Sequence, residues 1–336
     1  MNERQIKTRK LSSALFKEAN KNLKILCCPF CGQKSPVLCN SHSIPEFVLR
    51  NIAGEEGYVN NIYNILDVCI QKEELGVGQA GCFKMICINC DSQVFQNYED
   101  ENKLLYFNNE KQILNEIALK NILRNMHGMM DQMSIFDLLY DKYGGEENII
   151  NANVCLHDLD SYMTEMNQII DNICDDKQSD YTIIYKNYLE YVTPIAFQGC
   201  FEMKFDCNGE LIHLSHTDKE DYLRLFHIAI LPLSAKTLVL VFIRDKCKEY
   251  RKLINQFEKK NDQQKLDFIN YIIFKCSDNF FISKRINKEI YTNDFKRICN
   301  PNINNNGNFV KAGGIKSINR EILKCPNFLK MNLYNL

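Results

Sequence analysis

Two pairs of closely spaced cysteines constrain this chain more than any other feature of its sequence. Cys28 and Cys31 form one CxxC element, and Cys87 and Cys90 form a second. Two thiolates at this spacing can bind one ion only where the backbone turns sharply, and Gly32 directly after the first pair allows such a turn. Four cysteine thiolates are the usual ligands of structural zinc. The sequence therefore predicts a zinc site at these four residues, the alternative being four unrelated buried cysteines.

The other twelve of the sixteen cysteines follow no comparable pattern. Cys27 is an alternative ligand in the first pair, although its spacing from Cys31 fits less well, and Cys39, Cys69 and Cys82 have no evident partner. The N-terminus is charged, and no stretch approaches the roughly 18 consecutive apolar residues of a membrane span. We therefore expect a cytoplasmic protein with reduced thiols and no membrane segment.

Composition and periodicity divide the chain into four predicted parts. Residues 1–102 hold the zinc-binding module, residues 103–180 form an acidic helical region, residues 181–299 form an α+β domain, and residues 300–336 form a basic, Asn-rich tail. The predicted fold class is therefore α+β, with an N-terminal zinc module, a helical middle and a C-terminal α+β domain.

In the helical region, Ser134 with Asp137 resembles a capping box that opens a helix, and Gly144-Gly145 predicts its end. A following apolar stripe has the three-four spacing of an amphipathic helix. Its members are Leu156, Leu159, Met163, Met166, Ile170 and Ile173. We expect the stripe to pack on its own domain, the alternative being a contact between two copies in a homodimer.

Strand patterns begin near residue 181. Asn208-Gly209 between two apolar runs, Phe201–Phe205 and Leu211–Leu214, predicts a β-hairpin, because both central positions of the tight turn need positive φ. Further predicted strands are Thr182–Tyr185, Tyr191–Phe197 and Lys236–Ile243, and the last of these is expected to be buried. Two predicted helices follow, near 246–259 and 263–276, and Asp262 is the expected N-cap of the second helix.

Charge is segregated along the chain, although the formal net charge is only −1. Residues 1–50 carry 9 basic and 3 acidic side chains, and residues 181–336 carry 24 basic and 16 acidic ones, whereas the middle is acidic. Near-neutral net charge therefore does not exclude a nucleic-acid partner, and the basic ends are where we expect DNA or RNA to bind.

One histidine near the first cysteine pair is a candidate catalytic residue. His42 lies in the sequence SHSIP, and Pro45 is expected to begin a short helix over PEFVLRNIA. A histidine held at the end of a strand can act as a general base, because its pKa lies near the working pH. The alternative is a packed or capping histidine.

The order of these motifs resembles the HNH endonuclease family, whose ββα-metal site lies within a treble-clef zinc fold. The matching residues are Cys28 and Cys31, His42 with Pro45, and then Cys87 and Cys90, over about 75 residues. The resemblance implies that His42 is the general base. It also implies that Asp91 binds a catalytic Mg²⁺ or Mn²⁺, with Glu99 as a second carboxylate. The chain departs from the family pattern at two positions. The family usually has a metal-binding Asp in place of Ser41, and it has His or Asn in place of Asp91.

The resemblance therefore implies a metal-dependent HNH-type endonuclease acting on DNA or RNA, in the role of an antiphage defence effector. The alternative is a non-catalytic, zinc-stabilised binding or adaptor protein with a degenerate HNH site. In either case the helical region or the α+β domain would contact a protein partner. Cys200, Cys207, His213 and His216 suggest a second zinc site, but the hairpin pattern favours ordinary strand residues there.

Overall fold

The computed structural model of the chain describes residues 14–15, 17–18, 21, 24–65, 68–175, 179–212, 223–299 and 315–336. Within these ranges the side chains of residues 62–65, 68–73 and 315–317 are not described. His213 and His216, the side chain of Cys69 and residues 300–314 of the predicted tail therefore lie outside the described part of the chain.

The strands form a two-stranded and a seven-stranded sheet. They are β1 (Ser41–His42), β2 (Tyr58–Ile65), β3 (Val68–Gly76), β4 (Cys82–Phe83), β5 (Tyr181–Leu189), β6 (Ile195–Glu202), β7 (Leu225–Pro232), β8 (Thr237–Arg244) and β9 (Phe280–Ser283). β1 pairs with β4, and the large antiparallel sheet has the order β3-β2-β9-β6-β7-β8-β5.

Helices account for most of the remaining regular structure. They are α1 (Glu46–Ala53), α2 (Ile88–Val94), α3 (Glu101–Tyr106), α4 (Glu110–Tyr143), α5 (Glu146–Cys174), α6 (Arg251–Glu258), α7 (Asp262–Cys276), α8 (Asn293–Ile298) and α9 (Ile315–Lys324). The fold is thus a mixture of α and β elements, as the sequence predicts. Among the described residues, we find no helix with the length and apolar content that crossing a membrane requires.

Both faces of the large sheet are covered. Every residue of β7 and β8 is buried, including the predicted apolar strand at 238–243. On β8, Leu240 and Phe242 belong to a core shared with α1 and α4, whereas Val241 and Ile243 belong to a core shared with α6 and α7. This alternation follows from the two-residue period of a strand. The first core also contains the cysteine-rich region, so that region is packed against the sheet.

The segment between the two CxxC pairs joins the large sheet, which the sequence does not predict. β2 and β3 form a hairpin there, and β2 pairs with β9 through Val59 opposite Ser283. β1 contains His42 and α1 begins directly after Pro45, as the sequence predicts, whereas α2 begins at Ile88, inside the second cysteine pair.

Helices α4 and α5 form a long antiparallel hairpin. The predicted end at Gly144-Gly145 is confirmed, because both glycines have positive φ, +70° and +98°. The predicted start is wrong, since Ser134 lies inside α4, which begins at Glu110. Serine is a weak helix former but not a breaker, and the hydrogen bonds of a continuous helix outweigh its local capping preference.

Three predictions in the α+β region need correction. β6 ends at Glu202, residues 203–204 are not in a strand, and Phe205 forms a bridge with Leu211 across the tight turn at Gly209, so the first predicted strand of the hairpin is interrupted; residues 213–214 of the second lie outside the described part of the chain. The predicted strand over 191–197 begins only at residue 195, because Pro194 has no amide to donate. The N-cap of α7 is Asn261, one residue earlier than predicted.

Candidate functional site

Four cysteine sulfurs from two distant segments come together at the N-terminal end of α2. The Sγ atoms of Cys28, Cys31, Cys87 and Cys90 all lie within 4.8 Å of one another. Among the residues that the structure describes, this is the one group of three or more His, Cys, Asp or Glu donors compact enough to hold a metal ion. The four predicted cysteines are therefore close enough to bind a single ion.

Local backbone geometry explains why these sulfurs converge. Gly32 has a φ of +71°, so the chain reverses directly after Cys31. Cys87 is the N-cap of α2, and its Sγ accepts a hydrogen bond from the amide of Cys90 at 3.4 Å. The amide of Cys87 in turn donates to Sγ of Cys28 at 3.5 Å. The turn and the helix N-terminus thus supply amide hydrogens that stabilise thiolates.

The charges of the sulfurs also fit a bound cation. Burial raises the pKa of Cys28, but hydrogen bonds from the amides of Cys31 and Cys87 outweigh burial and bring that pKa down to about 7. Burial raises the pKa of Cys90, and the neighbouring thiols raise it further. Cys90 would therefore ionise more readily with a positive charge between the sulfurs, which a metal ion would provide.

The neighbouring cysteines lie outside this group. Cys27 is exposed and is not one of the four, so it is not the alternative ligand that its position suggests. The thiol of Cys39 donates to Oδ2 of Asp91 at 3.2 Å, and that of Cys82 to the carbonyl oxygen of Gly78 at 3.5 Å.

His42 lies in β1, opposite Cys82 of β4, and is half-buried. Its Nε2 lies 3.1 Å from the carbonyl oxygen of Val77. Because a carbonyl oxygen only accepts, this hydrogen bond requires a proton on Nε2. Nε2 is then unable to take a proton from water, and any base function would fall to Nδ1.

Asp91 lies in the first turn of α2, and both of its carboxylate oxygens have partners. Oδ1 accepts from Oγ of Ser41 at 2.5 Å and from Nζ of Lys120 at 3.0 Å, while Oδ2 accepts from Cys39. Burial alone would raise the pKa of Asp91, but the charge of Lys120 and the hydrogen bond from Ser41 hold it below its usual range. Asp91 is therefore an ionised carboxylate at neutral pH.

Lys120 of α4 connects the two predicted carboxylates. Its Nζ lies 3.0 Å from Asp91, 3.1 Å from Oε1 of Glu99 and 2.7 Å from Oγ of Ser41, and it sits 3.6 Å from the centre of the Phe95 ring. The Lys120 side chain is fully buried, whereas Asp91 is 15% and Glu99 34% exposed. Burial raises the pKa of Glu99 in spite of the nearby ammonium. We call Ser41, Asp91, Glu99 and Lys120 the lysine cluster.

Sequence reasoning did not identify Lys120, although the sequence contains a usable indication. Lys120 follows Ile113 by seven residues and Ile117 by three, so it stands in the apolar register of α4. A lysine in such a register must be paired if it is buried, because burying an unpaired ammonium is costly. Its partners, 21 to 79 residues away in sequence, could not be read from this local pattern.

The lysine cluster does not fit the predicted catalytic Mg²⁺ or Mn²⁺. These ions need several free oxygen ligands, whereas Asp91 has partners at both oxygens and Glu99 contacts the same ammonium. His42, Asp91 and Glu99, all within the described residues, do not form a donor group compact enough for one ion. We therefore derive no chemical step through a catalytic metal.

The other candidate residues have structural surroundings. His227 is fully buried in β7, stacks on Phe242 with 4.8 Å between ring centres, and has its pKa lowered by burial to about 3. His127 pairs with Asp131 at 3.2 Å. Among the described residues, no second metal-binding group includes Cys200 or Cys207.

Comparisons of this chain with family models, with curated proteins and with solved structures gave no match. The geometry of the four cysteines and of the lysine cluster is therefore the basis for any functional conclusion.

Proposed function

We propose that this protein is a zinc-stabilised binding protein, in which the HNH-like site is occupied by an internal lysine instead of a catalytic metal. The observation that carries this proposal is the position of the buried Lys120 ammonium, 3.0 Å from Asp91 and 3.1 Å from Glu99. A cationic side chain there supplies the positive charge that a divalent ion would otherwise bring to the two carboxylates.

Zinc is the metal that we assign to the four cysteines. Thiolates are soft ligands that select zinc over magnesium, calcium or manganese, and a complete set of four leaves no position open for substrate. Such an ion would connect the turn at Cys31 to the start of α2 and would do no chemistry itself. The free thiols of the described cysteines are in keeping with a cytoplasmic location.

Metal-dependent HNH endonuclease activity on DNA or RNA, with a role in antiphage defence, is the second candidate. It is favoured by the convergence of Asp91 and Glu99 on one cation, together with the partial exposure of Glu99. In this alternative, a divalent ion would have to displace Lys120 from the carboxylates, and the basic ends of the chain would hold the nucleic acid.

A nuclease assay with the full-length, zinc-loaded protein separates the two candidates. Single- and double-stranded DNA and RNA are incubated with Mg²⁺ or Mn²⁺ and wild-type protein, His42→Ala or His157→Ala, the last being an exposed histidine that serves as the matched control. We expect no cleavage by any of the three. Cleavage that is lost in His42→Ala and kept in His157→Ala would establish the nuclease and refute the proposal.

A second measurement tests the lysine directly. Electron paramagnetic resonance of added Mn²⁺ should detect no bound ion in the wild-type protein, because Lys120 neutralises the carboxylates. Lys120→Met should gain Mn²⁺ binding, at a cost in stability of about 3 kcal/mol from the uncompensated carboxylate. Lys111→Met, an exposed lysine on the same helix, is the control and should behave as wild type. Mn²⁺ bound by wild type as tightly as by Lys120→Met would contradict the proposal.

A further inference from the structure

The outer end of the α4–α5 hairpin exposes an unusual amount of apolar surface. We call residues 129–163 the hairpin tip. Of the sixteen large apolar side chains that are exposed in the described part of the chain, seven lie in this tip, with exposures from 41% to 70%. They are Tyr140, Tyr143, Ile149, Ile150, Val154, Leu156 and Met163. Cys155 and Tyr162 are the only buried residues of the tip. The first core reaches the tip at its inner end, through Tyr162 with Met129, Met130 and Leu159, and the rest of the tip extends beyond it.

Three of these residues form a continuous ridge. Ile149, Leu156 and Met163 recur every seven residues on α5 and therefore lie along one face of the helix, over a length of about 21 Å. Further along the same predicted stripe, Met166 is buried. The stripe is thus packed on its own domain at one end and uncovered at the other. A ridge of this length and period is the surface against which a partner helix packs.

The charge of the tip limits what can cover it. Residues 129–163 contain seven acidic side chains and a single base, Lys142. Lys142 is already paired, since its Nζ donates to Oε2 of Glu18 at 2.7 Å. Two copies of this surface would bring like charges together, which disfavours a symmetric pair. A partner that is both apolar and basic fits this surface, because its apolar side chains would cover the ridge and its basic side chains would face the acidic residues around it.

We infer that the hairpin tip is a docking surface for a cationic, amphipathic helix of another protein. The helix would lay its apolar face along Ile149, Leu156 and Met163 and place its lysines or arginines next to the flanking acidic residues. This inference names a partner class for the proposed binding function. It uses none of the residues of the lysine cluster, so the two proposals can fail separately.

The test uses the full-length protein and a fluorescent, helix-forming peptide made of leucine and lysine, with fluorescence anisotropy as the readout. The tip variant combines Leu156→Gln with Met163→Gln, which removes apolar surface at exposed positions and leaves the charge unchanged. The matched control combines Leu211→Gln with Leu323→Gln, two exposed leucines outside the tip. A peptide with glutamate in place of lysine tests the sign of the charge.

We expect saturable binding of the lysine peptide to wild type and to the control. The tip variant should bind the same peptide with an affinity lower by about tenfold or more. The glutamate peptide should not bind, and added salt should weaken the lysine peptide. Equal affinity for wild type and tip variant would overturn the inference, as would no saturable binding to wild type. A wild-type dimer in sedimentation equilibrium that the tip variant abolishes would assign the surface to a second copy instead, and would also overturn it.

Discussion

The cysteine-rich region and the large sheet are stabilised by different physical chemistry. In the cysteine-rich region the strands are two residues long, and a few sulfurs and charges fix the geometry. In the sheet, β7 and β8 are eight residues each and buried throughout. The stability of the sheet is thus spread over many weak apolar contacts. The cysteine-rich region shares one of these apolar cores, and it adds a few directional contacts that the sheet does not have.

This difference explains how the cysteine-rich region can hold a histidine and two carboxylates in fixed positions. Apolar contacts are non-directional and tolerate small shifts, but metal ligands and buried ion pairs tolerate few changes of length or angle. Precision in the cysteine-rich region therefore depends on single atoms. The variants below should separate the two regions experimentally.

The largest effect is expected from loss of the metal. Cys87→Ser removes one of the four proposed zinc ligands, which also caps α2, and structural zinc contributes roughly 10–16 kcal/mol to folding in small zinc domains. We expect it to lower the free energy of unfolding by about 5 kcal/mol or more and to release the bound zinc. Hydrogen exchange should show loss of amide protection in α2, while the amides of β7 and β8 stay protected.

Cys27→Ser is the matched control for this prediction. Cys27 lies next to Cys28 but is exposed and outside the four-sulfur group. Its replacement should leave zinc content, measured by elemental analysis, and hydrogen exchange as in wild type. Equal zinc loss in both variants, or full zinc retention in Cys87→Ser, would show that the four sulfurs do not act as one site.

The parts of this region that could be read from the sequence are those fixed by short-range spacing. The cysteine pairs, the turn at Gly32 and the helix after Pro45 are each specified within a few residues. The pairing of β2 with β9 and of Lys120 with Ser41 joins residues 79 or more positions apart. Local periodicity carries no information on such contacts, so the sequence predicted the four cysteines that converge but not the contacts of Lys120 with Asp91 and Glu99.

The second effect concerns the two carboxylates, which should respond in opposite directions. The pKa of Asp91 is lowered in the folded protein, so its stabilising contribution is present above the unfolded value of about 3.9 and is lost only at lower pH. The pKa of Glu99 is raised, so its contribution is present below about 4.3 and is lost as pH rises through the folded value. At pH 7 we expect Asp91→Asn to cost about 1–3 kcal/mol and Glu99→Gln to cost less.

Urea unfolding between pH 5 and pH 8 measures both effects. Asp91 is ionised in the folded and in the unfolded protein throughout this pH range. Any loss of stability with rising pH that wild type shows and Glu99→Gln lacks is then due to Glu99. Asp91→Asn should shift the curve down, and it should also weaken the loss of stability with rising pH, because the charge of Asp91 contributes to the raised pKa of Glu99. A larger cost for Glu99→Gln than for Asp91→Asn at pH 7 would mean that Lys120 depends mainly on Glu99.

The smallest effect is expected in the sheet, where removal of one methylene group is shared among many contacts. Ile230 of β7 is fully buried, so Ile230→Val should lower the free energy of unfolding by about 1 kcal/mol. Ile150→Val makes the same chemical change at a side chain that is 60% exposed, and should cost almost nothing. Because the change is apolar and distant from the cysteines, zinc content and the pH dependence due to Glu99 should stay as in wild type. If Ile230→Val changes the zinc content or the pH dependence, the sheet and the metal site unfold as one unit. The two regions would then differ in composition but not in stability.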